Sequence, residues 1–255
     1  MQGVWIDRKG EKFITKQGYE IEVVEYIRHK NCTIVFNDER KTTLFNVRFD
    51  HIKDGSVSNP YHLTVCGVGY LGIGEYNVKI NSKTSLCYKV WNDMLRRCYS
   101  EKHQNNNLTY IGCTVADGWK CFQTFAKWYY KNYNFNIMFK WELDKDILFK
   151  ENKIYSPKTC CFVPSAINGL FTKTNINRGK YPIGVSLHMS GKFQAKILKN
   201  KTQIYLGLFE TPEEAFQAYK KAKEEYIKEV ADKWKDKIDP RVYEAMYNYQ
   251  VEITD

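Results

Sequence analysis

"YLGLFETPEEAFQAYKKA", Tyr205 to Ala222, holds two local codes that meet at Thr211. Up to Phe209 the residues suit a strand. From Thr211 on they suit a helix. Thr211 is placed as N-cap, Pro212 as the first helical residue, and Glu214 completes a capping box. Ala215, Ala218, Tyr219, Ala222 and Tyr226 then recur at helical spacing and form an apolar stripe, on a helix expected to run as far as Trp234. The question is what a strand-to-helix corner of this kind serves.

Working outward from it, three strands precede the helix. Ile183 to His188, Lys192 to Leu198 and Gln203 to Leu208 are linked by the turns "MSG" and "KNKT". Strand alternation puts Val185, Leu187, Phe193, Ala195, Ile197, Ile204 and Leu206 on one face. Ser186, His188, Lys192, Gln194, Lys196, Gln203 and Tyr205 fall on the other. The small alanines let the helix lie close on the apolar face. That leaves a polar, basic face free, either as ordinary solvated surface or as a surface for the DNA major groove. A last helix is expected from Pro240 to about Tyr249.

The chain has 255 residues, 15% aromatic and 43% apolar, enough to bury a substantial core. Its net charge is +10, which points to a polyanionic partner, nucleic acid first and membrane surface second. No run of about 18 apolar residues exists to span a bilayer, and "MQGVWIDRKGEKF" lacks the apolar core of a signal peptide. A cytoplasmic location is expected. The eight cysteines include no Cys-x-x-Cys pair, so they read as reduced thiols that mostly pack.

Four segments are expected: a β-rich unit over 1–76, a middle unit over 84–174, the sheet-plus-helix over 181–235, and a closing helix over 236–255. In the first, "GYEIEVVEYI", "NCTIVFND" and "TTLFNVRF" suit a small SH3-like barrel. That unit carries no catalytic constellation but offers a surface for a protein partner or for extra DNA contact. "CGVGYLGIGEY", Cys66 to Tyr76, is glycine-rich without the Lys-Ser/Thr pair of a phosphate loop and reads as a linker. In the middle unit, Leu86, Val90, Met94, Leu95 and Cys98 mark one helix, capped by Ser85 or Thr84. Trp119, Phe122, Phe125, Ala126 and Tyr129 mark a second. "KWELDKDI" and "TCCFVP" read as short strands, and Ser165 caps a further helix start. Trp91, Trp119, Trp128 and Tyr155 read as core. The fold class is α+β.

The tail resembles the DNA-binding domain of plant ethylene-response (APETALA-type) transcription factors. The similarity rests on the Gly-Val strand at Gly184, the Gly-Lys-Phe turn at Gly191, and the run from Leu206 through Tyr219. It implies a sheet that docks in the groove of double-stranded DNA. Where plant domains carry arginines as base readers, this chain has Ser186 and His188. The resemblance makes Ser186, His188, Lys192, Gln194, Lys196 and Tyr205 the candidate DNA contacts.

The middle unit resembles phage HNH-like (His-Me finger type) endonucleases, through "YKVWNDMLRRCYS", "YIGCTVADGWKCFQTFAKW" and "ELDKDILFKENKIYSPKTCCFVPSAIN" taken in order. The resemblance implies a ββα-metal site and metal-dependent cleavage of DNA, as in homing enzymes. Asp144 would be the strand ligand and Asn168 the helix ligand for Mg²⁺ or Mn²⁺. Lys145 stands where the base histidine belongs, and none of the five histidines lies in this motif. A lysine is a poor base near neutral pH, so Lys145 would instead hold the phosphate. Alternation groups Asp146 and Glu142 with Asp144 on one face, so that the implied catalytic set is Lys145, Asp144 and Asp146, with Glu142 as the alternative to Asp146. Arg96, Arg97, Lys145 and Lys173 are candidates for DNA-backbone contact. The alternative to an endonuclease is an inactive relic that binds DNA as a regulator or accessory protein.

Overall fold

The structure is a computed structural model, and it describes residues 6–135, 139–171 and 180–253. Two hydrophobic cores organise it. The first belongs to an antiparallel sheet of β1 (Lys12–Ile14), β2 (Glu20–Arg28), β3 (Asn31–Phe36) and β4 (Thr43–Val47), in that spatial order. Helix α1 (Phe49–Lys53) follows. Ile21, Val23, Cys32, Ile34, Phe36, Phe49 and Ile52 alternate inward to fill its core. The expected barrel does not close, because β1 and β4 remain at opposite edges with no ladder between them. With three and five residues they are too short to curl round to each other. Loop contacts tie β1 to the segment after α1 instead, as in Lys16 N–H to Gly55 O at 2.8 Å and Asn59 N–H to Gln17 Oε1 at 2.7 Å.

The second core runs through everything that follows. A small hairpin of β5 (Lys79–Ile80) and β6 (Lys83–Thr84) leads into α2 (Leu86–Tyr99) and α3 (Glu101–Asn106). Ser85, as expected, caps α2 by accepting the Tyr88 N–H. Next come β7 (Thr114–Val115), α4 (Asp117–Lys120) and α5 (Phe122–Asn132). The second expected helix is therefore broken at Cys121. The glycine-rich linker explains the break: Tyr70 enters the gap, donating to Lys120 O at 3.0 Å and accepting from Phe122 N at 2.9 Å. Glycine is needed in that linker for close approach. A Cβ at Gly69 would overlap Leu95 and Trp91, and one at Gly74 would overlap Gln123.

Strand β8 (Trp141–Asp144) pairs antiparallel with β10 (Cys161–Pro164), which runs into α6 (Ser165–Phe171). Between them β9 (Ile154–Tyr155) pairs in parallel with β7. The tail forms the antiparallel sheet β11 (Val185–Leu187), β12 (Phe193–Lys199), β13 (Thr202–Phe209), followed by α7 (Pro212–Trp234) and α8 (Pro240–Tyr247). The capping box at Thr211 forms as expected: Thr211 Oγ1 accepts from Glu214 N at 3.2 Å and Glu214 Oε2 accepts from Thr211 N at 3.3 Å.

Middle and tail are not separately cored. Trp91, Trp119 and Phe162 belong to one hydrophobic cluster with Ile197, Phe216, Ile227, Trp234, Val242 and Met246. Rings cross the join directly, Phe139 on Trp234 and Phe171 on Tyr249, each with centroids 4.8 Å apart.

Candidate nucleic-acid interface

The tail sheet owes its two faces to register. Val185, Ala195 and Gly207 lie side by side across the three strands, with Leu187, Phe193 and Phe209 in the next rung, on the side that α7 covers. Ala195 and Ala215 are fully buried, so helix and sheet meet through methyl groups. Tyr219 packs over Gly184, which has a φ of +76° and where any Cβ would overlap the Tyr219 ring. The cover is incomplete at the ends. Leu187 and Ile204, assigned by alternation to the covered face, are 52% and 40% exposed, because α7 crosses the sheet near its centre and leaves the outer corners open.

On the other side stand Ser186, Gln194 and Leu208 in one rung, Lys196 and Tyr205 in the next, and Leu198 with Gln203 beyond. Leu208 was not anticipated. Strict alternation sends it inward, but the register shifts between Ala195 and Lys196, where β13 carries an extra residue at Leu206–Gly207. The bulge turns Leu208 out while Tyr205 stays out. Its signal was a glycine inside a strand: Gly207 has a φ of +136°. Asn200 and Lys201, both with positive φ, form the tight turn that fixes this register.

The candidate contacts divide by what already holds them. Lys192 is ion-paired with Glu210, and His188 Nδ1 is hydrogen-bonded to the Ser190 hydroxyl at 2.8 Å. Ser186, Gln194, Lys196, Gln203 and Tyr205 have no side-chain hydrogen bond or ion pair among the described residues. Arg96 is exposed and only 3.8 Å from Asp93, a weak surface pair. Arg97 is partly buried with its guanidinium 5.6 Å from the Tyr110 ring, so it braces the middle unit. Lys173 lies outside the described residues.

The strand–strand–helix order of β8, β10 and α6 is formed, yet its polar groups are satisfied by one another. Asp144 ends β8, and its Oδ1 accepts the N–H groups of Asp146 and Ile147, both at 2.7 Å. Burial raises the Asp144 pKa against the lowering effect of those two bonds. The chain bends there, so Asp146 does not continue the strand face. It turns to Lys145, whose Nζ is 2.6 and 2.7 Å from its two carboxylate oxygens and 2.7 Å from Asn152 O. Lys145 is only 5% exposed, beside the Tyr155 ring. Asn168 donates to Glu142 Oε2 at 2.6 Å, and Glu142 Oε1 receives Ser165 at 3.1 Å and Lys140 at 2.9 Å.

These residues do not fit a divalent metal as they stand. The Glu142 carboxylate is filled by protein donors, Asn168 is committed to it, and among the described residues no group of three His, Cys, Asp or Glu is placed to hold an ion. Glu142, Asn168 and one oxygen of Asp144 are thus taken up by internal contacts, which the strand alternation of "ELDKDI" did not reveal.

A 49-residue stretch of the chain is 53% identical to the Ethylene-responsive transcription factor ERF116 of Arabidopsis thaliana. It makes up 18% of this chain and 17% of that protein, so the chain spans less than a fifth of its relative's length. The match supports an ethylene-response-factor-like domain in this chain. No family model and no solved structure matches. Among the described residues no helix is long and apolar enough to cross a membrane.

Proposed function

We propose that the chain is a sequence-directed binder of double-stranded DNA, and that the uncovered face of the β11–β13 sheet makes the contact. One observation carries the reading. A sheet sealed on one side by α7 presents on the other a set of hydrogen-bonding side chains, Ser186, Gln194, Lys196, Gln203 and Tyr205, that the rest of the molecule leaves unengaged. Two-stranded and three-stranded β-ribbons fit the major groove, where such side chains reach base edges. The net charge of +10 supplies the electrostatic attraction, and the similar Arabidopsis protein is by name a transcription factor.

Fluorescence anisotropy with a labelled duplex tests it. Affinity should fall linearly on a log–log plot against salt, with a slope of about −0.9 per phosphate neutralised. Lys196→Ala should weaken binding and flatten that slope. Binding that ignores salt and is unchanged in Lys196→Ala and Gln194→Ala would remove the sheet from the interface.

A second reading, phosphodiester cleavage by the β8–β10–α6 unit, is favoured by its strand–strand–helix order and by the half-buried Asp144 carboxylate. It requires Asn168 to leave Glu142. Supercoiled plasmid incubated with Mg²⁺ or Mn²⁺ decides it: nicking that Asp144→Ala abolishes supports the reading, and intact plasmid leaves DNA binding as the activity.

A further inference from the structure

The groove-facing side of the sheet is unusual in two respects. It holds no arginine, since the sequence has none between Pro182 and Pro240. It also holds large apolar side chains open to solvent: Leu198 at 64%, Tyr205 at 54% and Leu208 at 39% exposure. Arginine or lysine on guanine O6 and N7 is the commonest specific contact to a G·C pair, and this face offers for it Lys196 and the Glu210-paired Lys192 alone. Glutamine, bidentate to adenine N6 and N7, and an apolar group against the thymine C5-methyl are the complementary devices for A·T pairs. Both occur here, and they are neighbours. Gln194 on the central strand lies directly opposite Leu208 on β13, with Ser186 completing the rung on β11.

Directly opposed residues of an antiparallel pair hold their Cβ atoms about 5 Å apart. That spacing lets one side chain address adenine while its neighbour covers the thymine methyl of the same or the adjacent pair. Leu208 reaches this position only because of the bulge at Leu206–Gly207.

We propose, resting on the DNA-binding reading above, that the sheet selects A·T pairs in the major groove, with Gln194 reading adenine and Leu208 the thymine methyl. Lys196, a point charge beside Tyr205, serves the phosphates.

The test is anisotropy competition with the full chain at fixed salt, using three unlabelled duplexes: A·T-rich, G·C-rich, and the A·T-rich sequence with deoxyuridine replacing thymidine. The A·T-rich duplex should compete about tenfold better than the G·C-rich one. The deoxyuridine duplex, lacking only the methyl groups, should lose about fourfold for each methyl contacted. Leu208→Ala should bind thymidine and deoxyuridine duplexes equally, and Gln194→Ala should lose the preference over G·C. Equal competition by the three duplexes, or a G·C preference, overturns the proposal while leaving DNA binding intact. No salt-sensitive binding to any duplex overturns the DNA-binding reading and this inference with it.

Discussion

Replacing Lys145 by alanine and, separately, by methionine divides the stem of this buried lysine from its charge. The side chain is 6% exposed and its ammonium has three oxygens at 2.6 to 2.7 Å. Methionine keeps a stem of similar volume and removes the charge. The lost charge-assisted hydrogen bonds are each worth about 1.5–3 kcal/mol. Asp146 is half exposed, though, and rehydrates when its partner goes. Relief of the buried ammonium's desolvation, several kcal/mol, works in the opposite direction. The expected net change for Lys145→Met is about 1 kcal/mol either way. Alanine makes the same polar change and also strips about three buried methylenes at ~0.8 kcal/mol each, leaving a cavity. Lys145→Ala should therefore lie about 2–3 kcal/mol below Lys145→Met. Urea titration followed by tryptophan fluorescence measures both, and duplex affinity should stay within about twofold. If methionine is as damaging as alanine, the ion pair and not the stem holds this site. If both are harmless but plasmid cleavage disappears, Lys145 serves chemistry and its structural role is refuted.

Four further outcomes are expected. Thr211→Ala removes the N-cap of α7 and should cost about 1 kcal/mol in urea denaturation, with little change in DNA affinity at low denaturant. Lys192→Ala should weaken duplex binding less than Lys196→Ala, because Lys192 is already ion-paired with Glu210; comparison of the two by anisotropy checks this. Burial raises the folded-state pKa of Asp144, so the folded protein holds that proton more tightly than the unfolded chain. Its contribution to stability is then lost as pH rises from the ordinary carboxylate range through the raised value. Asp144→Asn keeps an oxygen for the Asp146 and Ile147 N–H groups and should remove this pH dependence, as seen in urea midpoints between about pH 4 and 7. Finally, burial pushes the thiols of Cys87, Cys98 and Cys160 up to about 12. A thiol reagent should reach Cys66 and Cys121 in the native protein and the six buried cysteines only on unfolding, as mass mapping would show.

The parts legible in the sequence are those fixed by near neighbours. The Thr211–Glu214 capping box and the Ser85 cap form as the local code predicts, and the inward set of α5, Phe122, Phe125, Ala126 and Tyr129, is buried. What escaped depends on distant partners. The helix break at Cys121 needs Tyr70, about fifty residues earlier, to supply competing hydrogen bonds. The fate of Lys145 turns on Asn152 and on where the strand stops, which Asp144 decides by capping the bend after it. The outward face of the tail sheet was read correctly at Gln194, Lys196 and Tyr205 and missed at Leu208, because alternation cannot count through a bulge.

The shared core of middle and tail has a consequence for transplanting this sheet. A domain that folds alone can be cut out and fused elsewhere. This one keeps Phe216, Ile227 and Trp234 in a cluster with Val242, Met246 and the helices of the middle unit. Excised at about the length of its plant counterpart, it would open that apolar flank to water and need new surface residues to stay soluble. The same joinery makes the β11–β13 sheet a fixed arm and not a tethered one. Its angle to the middle unit is set before any partner arrives, and no entropy is spent on orienting it.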